Sequence, residues 1–441
     1  MTHDSYTSAR LAGTTDVIVI GAGHAGLAAS FLLARKDVAH VVLERGEVAN
    51  AWRERRWESL KLLTPNWQTQ LPGFRYTGSD PDGYMSSAEL VRLLEGYAEQ
   101  SGAPVHTQTE VLSVQRSGSM YKVMTNRGEW RARAVILASG ACNKAVVPKI
   151  ANDLPDDIEQ LTALDYRSPA QLQKGGVLVV GASATGMQFA DEISRAGIDV
   201  TVAVGEHVRM PRHYRGSDIL FWMDRCGILA ENYEQVEDLN RARRLPSSQL
   251  VGCSDRPILD LNSLREQGVQ IAGRLMGIND GNAQFSGSLG NVCALADLKM
   301  KRLLSAIDEF VADDSTVPPA EAFADTVIDP SPVLMKKLDG DAIRTVIWAT
   351  GFRPDYSWLD VPVLDRKGQL QHDGGVVASP GMYVLGLPMM RTRKSSFIFG
   401  AQDDAFAVTD HLIKYLNNYS RSDDNVVYQY DSGVPGYRRS A

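Results

Sequence analysis

The sequence predicts an α/β protein with two Rossmann-like dinucleotide-binding domains, the second inserted into the first. Two glycine-rich turns, Gly21–Gly26 and Gly181–Gly186, each follow a short apolar run and precede a helix-like segment. Each turn has a later counterpart, an apolar strand that ends in a small-residue turn, over Arg133–Gly140 and Thr345–Gly351. This internal repeat indicates two related nucleotide-binding folds in a chain of 441 residues.

The first turn has the spacing that a bound dinucleotide requires. Gly21 permits a tight turn, Gly23 lets the backbone approach a pyrophosphate, and Gly26 lets the helix pack closely on the strand. Glu44 follows the next predicted strand, His40–Leu43, where a carboxylate can accept hydrogen bonds from an adenosine ribose. The alternative is an ordinary surface glutamate at a strand end. The turn before it favours the ribose role.

The second turn repeats the pattern with one substitution. Gly181 and Gly186 take the first and third glycine positions, and Ser183 replaces the second glycine. The apolar run Val177–Val180 precedes this turn, as expected for a buried parallel strand. The sequence therefore predicts a second dinucleotide here, and two dinucleotides in one chain indicate redox chemistry.

Basic residues follow the next predicted strand, Asp199–Val204, which ends at Gly205 and not at an acid. Three arginines come soon after it, namely Arg209, Arg212 and Arg215. Guanidinium groups can bind a 2′-phosphate through paired hydrogen bonds, which favours NADPH over NADH. The alternative rests on Glu206, because a carboxylate there could bind a 2′-hydroxyl.

Loop composition predicts the domain boundaries. Residues 144–176 carry many Pro, Asp and Gly residues, and residues 313–320 include the Pro318-Pro319 pair. We predict a first, discontinuous domain of residues 1–165 and 326–441, and an inserted second domain of residues 166–325. In the insert, a helical stripe is predicted to face the core; it consists of Leu295, Leu298, Leu303, Leu304, Ile307 and Phe310. Asp403 and Asp404 are predicted to cap a final helix, Ala405–Leu416.

Composition excludes several classes of function. The formal net charge of -7 argues against nucleic-acid binding. The four cysteines are scattered without a C-x-x-C pair, and no histidine has a metal-ligand spacing, so neither a redox disulfide nor a metal site is predicted. The uncharged run from Val17 to Ala34 has no basic segment before it, so we expect no membrane span and a cytoplasmic protein.

With these motifs in this order, the chain resembles the flavin-dependent monooxygenases that carry two dinucleotide-binding domains. That family includes the flavin-containing monooxygenases and their Baeyer–Villiger and N-hydroxylating relatives. The resemblance extends over roughly residues 15 to 416. It rests on Gly21-x-Gly23-x-x-Gly26, Glu44, Trp52-Arg53, Gly181-x-Ser183-x-Thr185-Gly186-x-Gln188 and Ala349-Thr350-Gly351-Phe352.

The resemblance implies FAD at the first turn, with Glu44 on the adenosine ribose. Further residues that it implies around the flavin and the adenine are Trp52, Arg53, Thr64, Asn66 and Val111. Asn66 is the catalytic candidate, because an amide can donate to and accept from a peroxide oxygen on flavin C4a. Its alternative role is that of a turn residue after Pro65.

For the second turn the resemblance implies NADPH, and it tolerates serine at position 183. The residues implied in this site are Gly181, Ser183, Thr185, Gly186, Gln188, Arg209, Arg212, Thr350 and Gly351. The implied reaction uses NADPH and O2, through a flavin C4a-(hydro)peroxide, to oxygenate a small organic substrate at nitrogen, sulfur or a ketone carbonyl. The sequence is compatible with a homo-oligomer.

Two departures from the family's pattern keep other functions open. Of the F-x-G-x-x-x-H-x-x-x-F/Y signature, Tyr166 is kept, but Thr162 takes the histidine position. One alternative is therefore an FAD- and NAD(P)H-dependent reductase without oxygen insertion. A second alternative is a non-catalytic dinucleotide-binding redox sensor. The segment Met382–Pro388 lacks the Gly-Asp of the disulfide reductases, which argues against thiol–disulfide chemistry.

Overall fold

The computed structural model describes residues 11–253, 258–339 and 342–420. In this part of the chain, two large sheets each contain a strand, a glycine-rich turn and a helix in succession. This arrangement confirms the predicted α/β class with two Rossmann-like units. The predicted ends of the first domain, residues 1–10 and 421–441, lie outside the described residues.

The helices and strands have the following bounds. The helices are α1 (His24–Ala34), α2 (Asn50–Glu54), α3 (Ser87–Gln100), α4 (Ala184–Arg195), α5 (Ile219–Arg225), α6 (Leu239–Ala242), α7 (Leu261–Glu266), α8 (Leu289–Phe310) and α9 (Ile398–Ser420). The strands up to the second turn are β1 (Leu11–Ile20), β2 (His40–Leu43), β3 (Gln70–Leu71), β4 (Phe74–Arg75), β5 (Val105–His106), β6 (Val111–Ser117), β7 (Met120–Thr125), β8 (Gly128–Leu137), β9 (Lys144–Ala145), β10 (Glu159–Thr162) and β11 (Val177–Val180). The later strands are β12 (Val200–Ala203), β13 (His213–Tyr214), β14 (Ser217–Asp218), β15 (Gln270–Ala272), β16 (Leu275–Asn279), β17 (Asn282–Phe285), β18 (Met335–Lys337), β19 (Thr345–Trp348), β20 (Phe352–Arg353), β21 (Leu359–Asp360), β22 (His372–Asp373), β23 (Val376–Val377) and β24 (Met382–Val384).

The first sheet has the order β21-β6-β7-β8-β1-β2-β5, and β24 also pairs with β8. Strand β1 lies between β2 and β8, and all three run parallel. Residues 17–20 of β1 are at most 6% exposed, as expected for a parallel strand covered on both faces. Helices α1 and α9 pack against each other, and the turn after β1 lies at the carboxyl edge of this sheet.

The second sheet has the order β10-β19-β11-β12-β15, and every neighbouring pair is parallel. Strand β11 is the middle strand of these five, and α4 follows it; β1 is likewise the middle one of the parallel strands β24-β8-β1-β2-β5 in the first sheet. The two glycine-rich turns therefore stand at equivalent places, each at the carboxyl end of a central strand. Parallel α/β sheets bind ligands in crevices at this edge.

The pairing of the strands indicates that the second domain extends beyond its predicted boundaries at both ends. The boundaries at 165/166 and 325/326 assign β10 and β19 to the first domain, but both strands pair within the second sheet. The reason is that loop composition carries no information about pairing, and the polar sequence of Glu159–Thr162 does not stand out as a strand. We therefore propose a second domain of about residues 159–348.

The two crossings between the domains lie side by side. Strands β9 and β20 pair in antiparallel fashion, with Ala145 opposite Phe352. The hydroxyl of Thr350 donates a hydrogen bond to the carbonyl oxygen of Val146 in the same region. The chain thus enters and leaves the second domain through one pair of hydrogen-bonded strands.

Two predictions about helices are confirmed only in part. Leu295, Leu298 and Phe310 are 43–51% exposed, so they do not belong to the buried face of α8, whereas Leu304 and Ile307 do. The final helix begins at Ile398, so Asp404 lies inside it and is 1% exposed. Gly400 lies in the first turn of α9, where a Cβ atom would lie 1.8 Å from the carbonyl oxygen of Lys394.

Candidate dinucleotide and substrate sites

In the first glycine-rich turn, neighbouring atoms leave no room for a side chain at Gly21 and Gly26 but leave room for one at Gly23. Gly21 has a φ of +109°, and a Cβ atom on it would lie 2.5 Å from the carbonyl oxygen of Ala138. A Cβ atom on Gly26 would lie 1.9 Å from the carbonyl oxygen of Gly21. On Gly23 it would meet nothing within 4 Å. The open side of Gly23 stands at the N-terminus of α1, where backbone N–H groups and the helix dipole favour an anion.

A cavity of about 600 Å³, which we call the first cavity, adjoins this turn. Its size is within the range of sites that hold a small ligand or cofactor. Predicted site residues that line it are Gly21, Gly23, Glu44, Trp52 and Val111. Gly26 lies behind the turn, where its role is to let α1 approach β1. The fold therefore brings together five predicted residues, from the turn after β1, the end of β2, α2 and β6.

Glu44 is held in one position by the backbone around it. Its carboxylate accepts hydrogen bonds from the backbone N–H of Ala22 at 2.9 Å and from that of Gly46 at 3.1 Å. The residue is 8% exposed. A carboxylate can accept about four hydrogen bonds, so the two already made leave capacity for ribose hydroxyl groups.

Two polar atoms in the lining of the first cavity lack a hydrogen-bond partner among the described residues. They are Nε2 of His24 and Oδ1 of Asn50, both buried. Burial lowers the pKa of His24 to about 4, so its imidazole is neutral. Buried polar groups without a partner cost about 1–3 kcal/mol each, so a bound group that supplied the missing hydrogen bond would remove this cost. The open glycine, the anchored Glu44 and these two atoms fit a polar dinucleotide such as FAD.

Arg53 does not line the first cavity. Its guanidinium pairs with Glu95 at 2.5 Å, and both side chains are about two-fifths exposed. The basic group beside the cavity is Arg56, whose guanidinium carbon lies 5.0 Å from the ring centroid of Trp52. Sequence reasoning missed Arg56, because nothing in the basic run Arg53-Glu-Arg55-Arg56 distinguishes the residue that turns inward.

Thr64 and Asn66 are buried but do not reach the first cavity. Asn66 lines a separate cavity of about 340 Å³, which we call the second cavity, and Thr64 lines neither. The amide of Asn66 donates to the carbonyl oxygen of Asp80 at 2.8 Å. The geometry therefore does not join the predicted catalytic amide to the residues around the first turn.

The second turn has nearly the same geometry as the first. Gly181 has a φ of +115°, and a Cβ atom on Gly186 would lie 1.9 Å from the Gly181 carbonyl oxygen. Ser183 is the N-cap of α4 with φ −80° and ψ −179°, and Gly23 at the same place in α1 has φ −82° and ψ −179°. Because this conformation suits any residue, serine can replace glycine there without backbone strain.

The remaining predicted residues of the second site lie around α4 and at the crossing between the domains. The amide of Gln188 is buried and donates to the carbonyl oxygen of Leu250 at 2.9 Å, so it anchors a loop. Thr350 and Gly351 follow β19 at the crossing between the domains, and Gly351 has a φ of +95°. Thr185 is half-buried in the first turn of α4, next to the turn itself.

The prediction that Arg209 and Arg212 bind a 2′-phosphate is wrong. Arg209 is 3% exposed and pairs with Asp260 at 2.5 Å and with Asp297 at 2.7 Å. Arg212 is 1% exposed and pairs with Asp218 at 2.6 Å. Both guanidinium groups are neutralised inside the protein, so neither is free for a phosphate. Arg215, the third of the set, pairs with Asp308 at 2.7 Å.

Two opposite charges remain at the end of β12. Glu206, three residues beyond that strand, pairs through its carboxylate with the ammonium group of Lys299 at 3.1 Å. Lys299 comes from α8, far along the chain, so no local pattern could have indicated it. This partly exposed pair offers an acceptor for a 2′-hydroxyl and a cation for a 2′-phosphate at the same place.

Comparison with known proteins gives matches over most of the chain. The family model described as pyridine nucleotide-disulphide oxidoreductase matches residues 18–222. A protein of Geobacillus kaustophilus named as an uncharacterized CzcO-like oxidoreductase is 32% identical over 92% of this chain and 99% of its own length. A probable indole-3-pyruvate monooxygenase of Arabidopsis thaliana is 28% identical over 45% of this chain and 48% of its own length.

A flavin-containing monooxygenase from Stenotrophomonas maltophilia is similar in structure. Its TM-score is 0.64, and the match covers 92% of this chain and 99% of that chain at 21% sequence identity. At this identity the likeness concerns the fold. Within residues 11–253, 258–339 and 342–420, no helix is long and apolar enough to cross a membrane. The same part of the chain contains no group of three or more His, Cys, Asp or Glu side chains suited to a metal ion.

Proposed function

We propose that this chain, which belongs to the family of CzcO-like oxidoreductases, is an FAD-dependent monooxygenase that takes its electrons from NADPH. The observation that carries the proposal is the pairing of two equivalent glycine-rich turns, each at the carboxyl end of the central strand of its own sheet. One chain with two such turns can hold an electron donor and an electron acceptor together.

In this proposal FAD lies in the first cavity. The open side of Gly23 and the N-terminus of α1 receive its pyrophosphate, and the anchored carboxylate of Glu44 accepts from its adenosine ribose. Arg56 lies over Trp52 beside the cavity, where a guanidinium can offset negative charge on the cofactor. FAD supplies the hydride acceptor and the reaction with O2, while these side chains bind it, orient it and exclude water.

NADPH would bind at the second turn, with its pyrophosphate at Ser183 and the N-terminus of α4. Lys299 takes the role that the sequence suggested for Arg209 and Arg212, because it is the cation that lies beside the end of β12. One oxygen atom would pass to a small organic substrate at nitrogen, sulfur or a ketone carbonyl, and the other would leave as water. The name of the Arabidopsis relative, a probable indole-3-pyruvate monooxygenase, supports oxygenation.

A second candidate is a reductase that passes electrons onward without inserting oxygen. The description of the matching family model favours it, and so does Thr162 in place of the signature histidine. A non-catalytic redox sensor is a third candidate, but it leaves the second dinucleotide turn without a purpose. These alternatives make different predictions about what happens to the electrons.

Stopped-flow spectroscopy of the flavin-loaded protein tests the proposal. Under anaerobic conditions NADPH should bleach the flavin absorbance. When O2 is then admitted, a transient flavin spectrum that differs from those of the oxidised and reduced forms should precede reoxidation. Immediate reoxidation with one hydrogen peroxide formed per NADPH would favour the reductase. A flavin that NADPH does not reduce would contradict both enzymatic functions.

A further inference from the structure

One wall of the first cavity comes from a short segment of the first domain that the second domain also contacts. Pro388 and Ser396 both line the cavity. We call residues 388–396, which lead into α9, the wall segment. Residues 231–243 of the second domain, which we call the arm, are hydrogen-bonded to it. The second domain therefore reaches the far side of a wall that faces the predicted flavin site.

Backbone hydrogen bonds join the arm to the wall segment. The backbone N–H of Tyr233 donates to the carbonyl oxygen of Arg391 at 2.9 Å. In the other direction, the backbone N–H of Arg393 donates to the carbonyl oxygen of Glu231 at 3.1 Å. The two bonds form an antiparallel bridge between the domains. Because such a bridge sets both the distance and the register of two segments, it fixes the wall segment relative to the second domain.

Side chains add two further bonds between the domains. Nε of Arg393 donates to Oε2 of Glu231 at 2.9 Å, and the two side chains form an ion pair. The hydroxyl of Tyr233 donates to Oδ1 of Asp373, in the first domain, at 2.5 Å. The side chains of the ion pair are 33% and 38% exposed, so water screens their charges and the pair contributes little by itself. The backbone bridge is therefore the stronger part of the contact.

The arm also holds a strained residue of the wall segment. Met389 has a φ of +48°, a value that residues other than glycine seldom adopt, and it is 4% exposed. Nε of Arg243 donates to the carbonyl oxygen of Met389 at 3.4 Å. Strained backbone persists where the surrounding structure holds it in place. Met389 directly follows Pro388, so this contact lies next to a residue of the cavity wall.

We propose that the arm of the second domain positions the wall of the first cavity, so that flavin binding and docking of the arm stabilise each other. Glu231, Tyr233 and Arg243 act as positioning residues, since none of them lines the cavity. The inference rests on the proposed place of FAD in the first cavity and on no later step of the reaction. Because coupling between two binding events is reciprocal, bound flavin must hold the arm as strongly as the arm holds the flavin.

The rate of flavin release from the loaded chain tests the backbone bridge. Tyr233 is the first residue of a short 3-10 helix, and Asn232 before it has φ −80° and ψ 142°, so proline fits at position 233. Tyr233→Pro removes the N–H that donates to Arg391, whereas the matched control Tyr233→Ala keeps it. Flavin fluorescence should show release about threefold faster from Tyr233→Pro than from Tyr233→Ala, as for one lost hydrogen bond. Equal rates would overturn the proposal.

Hydrogen exchange of the unaltered chain tests the reciprocal effect. Removal of the flavin should speed amide exchange in the arm as well as in the wall segment, because the two are held together. The hairpin of β16 and β17 is the internal control, since it contributes no residue to the first cavity, and its exchange should not change. An arm whose exchange is the same with and without flavin would refute the coupling.

A charge reversal distinguishes positioning from a general loss of stability. Glu231→Arg and Arg393→Glu should each speed flavin release about twofold, and the double variant should restore the original rate. The exposed Glu237→Gln is the control and should have no effect. A double variant as fast as the single ones would count against the proposal.

None of these measurements uses NADPH or O2, so their outcome is independent of the oxygenation reaction. If Gly23→Ala lowers flavin binding but the variants of the arm do not alter flavin release, FAD still lies in the first cavity and only the coupling to the second domain is wrong.

Discussion

Gly26 lies so close to Gly21 that a Cβ atom on it would stand 1.9 Å from the carbonyl oxygen of Gly21. The two glycines hold helix α1 against the end of β1. Gly186 and Gly181 have the same relationship in the second domain, at the same 1.9 Å. Gly26 and Gly186 are tightly packed, whereas Gly23 has no neighbour within 4 Å. Substitutions at these positions can therefore distinguish the contribution of the turn to stability from its contribution to cofactor binding.

Gly26→Ala should lower stability, whereas Gly23→Ala should lower flavin binding. At Gly26 the added methyl group meets backbone and must displace α1, at a cost of about 1–3 kcal/mol in the free energy of unfolding. At Gly23 it meets no protein atom within 4 Å but fills the space beside the N-terminus of α1. Urea unfolding and the amount of flavin bound per chain measure the two effects. If Gly23→Ala binds flavin as tightly as the unaltered chain, the pyrophosphate does not lie at this turn.

Lys299→Gln and Glu206→Gln should change cofactor preference in opposite directions. Loss of the Lys299 charge should weaken binding of NADP+ about tenfold and that of NAD+ little, because NAD+ has no 2′-phosphate. Loss of the Glu206 charge should improve NADP+ binding by removing the negative partner of that lysine. Equilibrium titration with both dinucleotides measures the ratio of NADP+ affinity to NAD+ affinity. An unchanged ratio in both variants would place the ribose elsewhere.

Arg209→Ala should destabilise the protein and leave the ratio of NADP+ to NAD+ binding unchanged. Its removal leaves the carboxylates of Asp260 and Asp297 buried without their cation, which costs about 3–5 kcal/mol. Denaturant unfolding checks the loss of stability. The exposed Arg302→Ala on α8 is the matched control and should change stability by less than about 0.5 kcal/mol. A specific loss of NADP+ affinity in folded Arg209→Ala would restore the phosphate role.

Asp404→Asn should stabilise the protein at neutral and higher pH. Burial raises the pKa of Asp404 to about 6, although the Ser395 hydroxyl and the Arg391 charge oppose the shift. The folded state therefore binds a proton more tightly than the unfolded state, and stability falls as pH rises from about 4 to about 6. The variant should remove this pH dependence. Above pH about 6, its free energy of unfolding should exceed that of the unaltered chain by up to about 3 kcal/mol.

The neighbouring Asp403→Asn is the control for that change. Asp403 is half exposed and pairs with Lys394 at 2.7 Å, and its charge contributes less than burial to the raised pKa of Asp404, so its removal should reduce the slope between pH about 4 and about 6 only slightly. Urea unfolding across this range measures both variants. The same slope in Asp404→Asn as in the unaltered chain would show that another group titrates there.

The sequence predicted those features that depend on residues close together in the chain. Each glycine turn and the strand before it belong to one strand–turn–helix–strand unit, and Glu44 directly follows the second strand of the first unit, so local order indicates their place in space. Arg209 and Arg212 were misassigned because their partners, Asp260, Asp297 and Asp218, become neighbours only on folding. Lys299 beside Glu206 could not be foreseen for the same reason. The strands β10 and β19 were placed in the wrong domain because their pairing is also a long-range contact.

Ala145 and Phe352 face each other across β9 and β20, although residues 146–351 lie between them in the sequence. Residues 146–351 therefore take the place in the chain that a hairpin loop would have between these two strands. A tight turn joining these two strands would close the first domain on itself without moving its sheet. The second domain is therefore inserted at a single point in the chain path of the first, and the strand order of the first sheet does not depend on it.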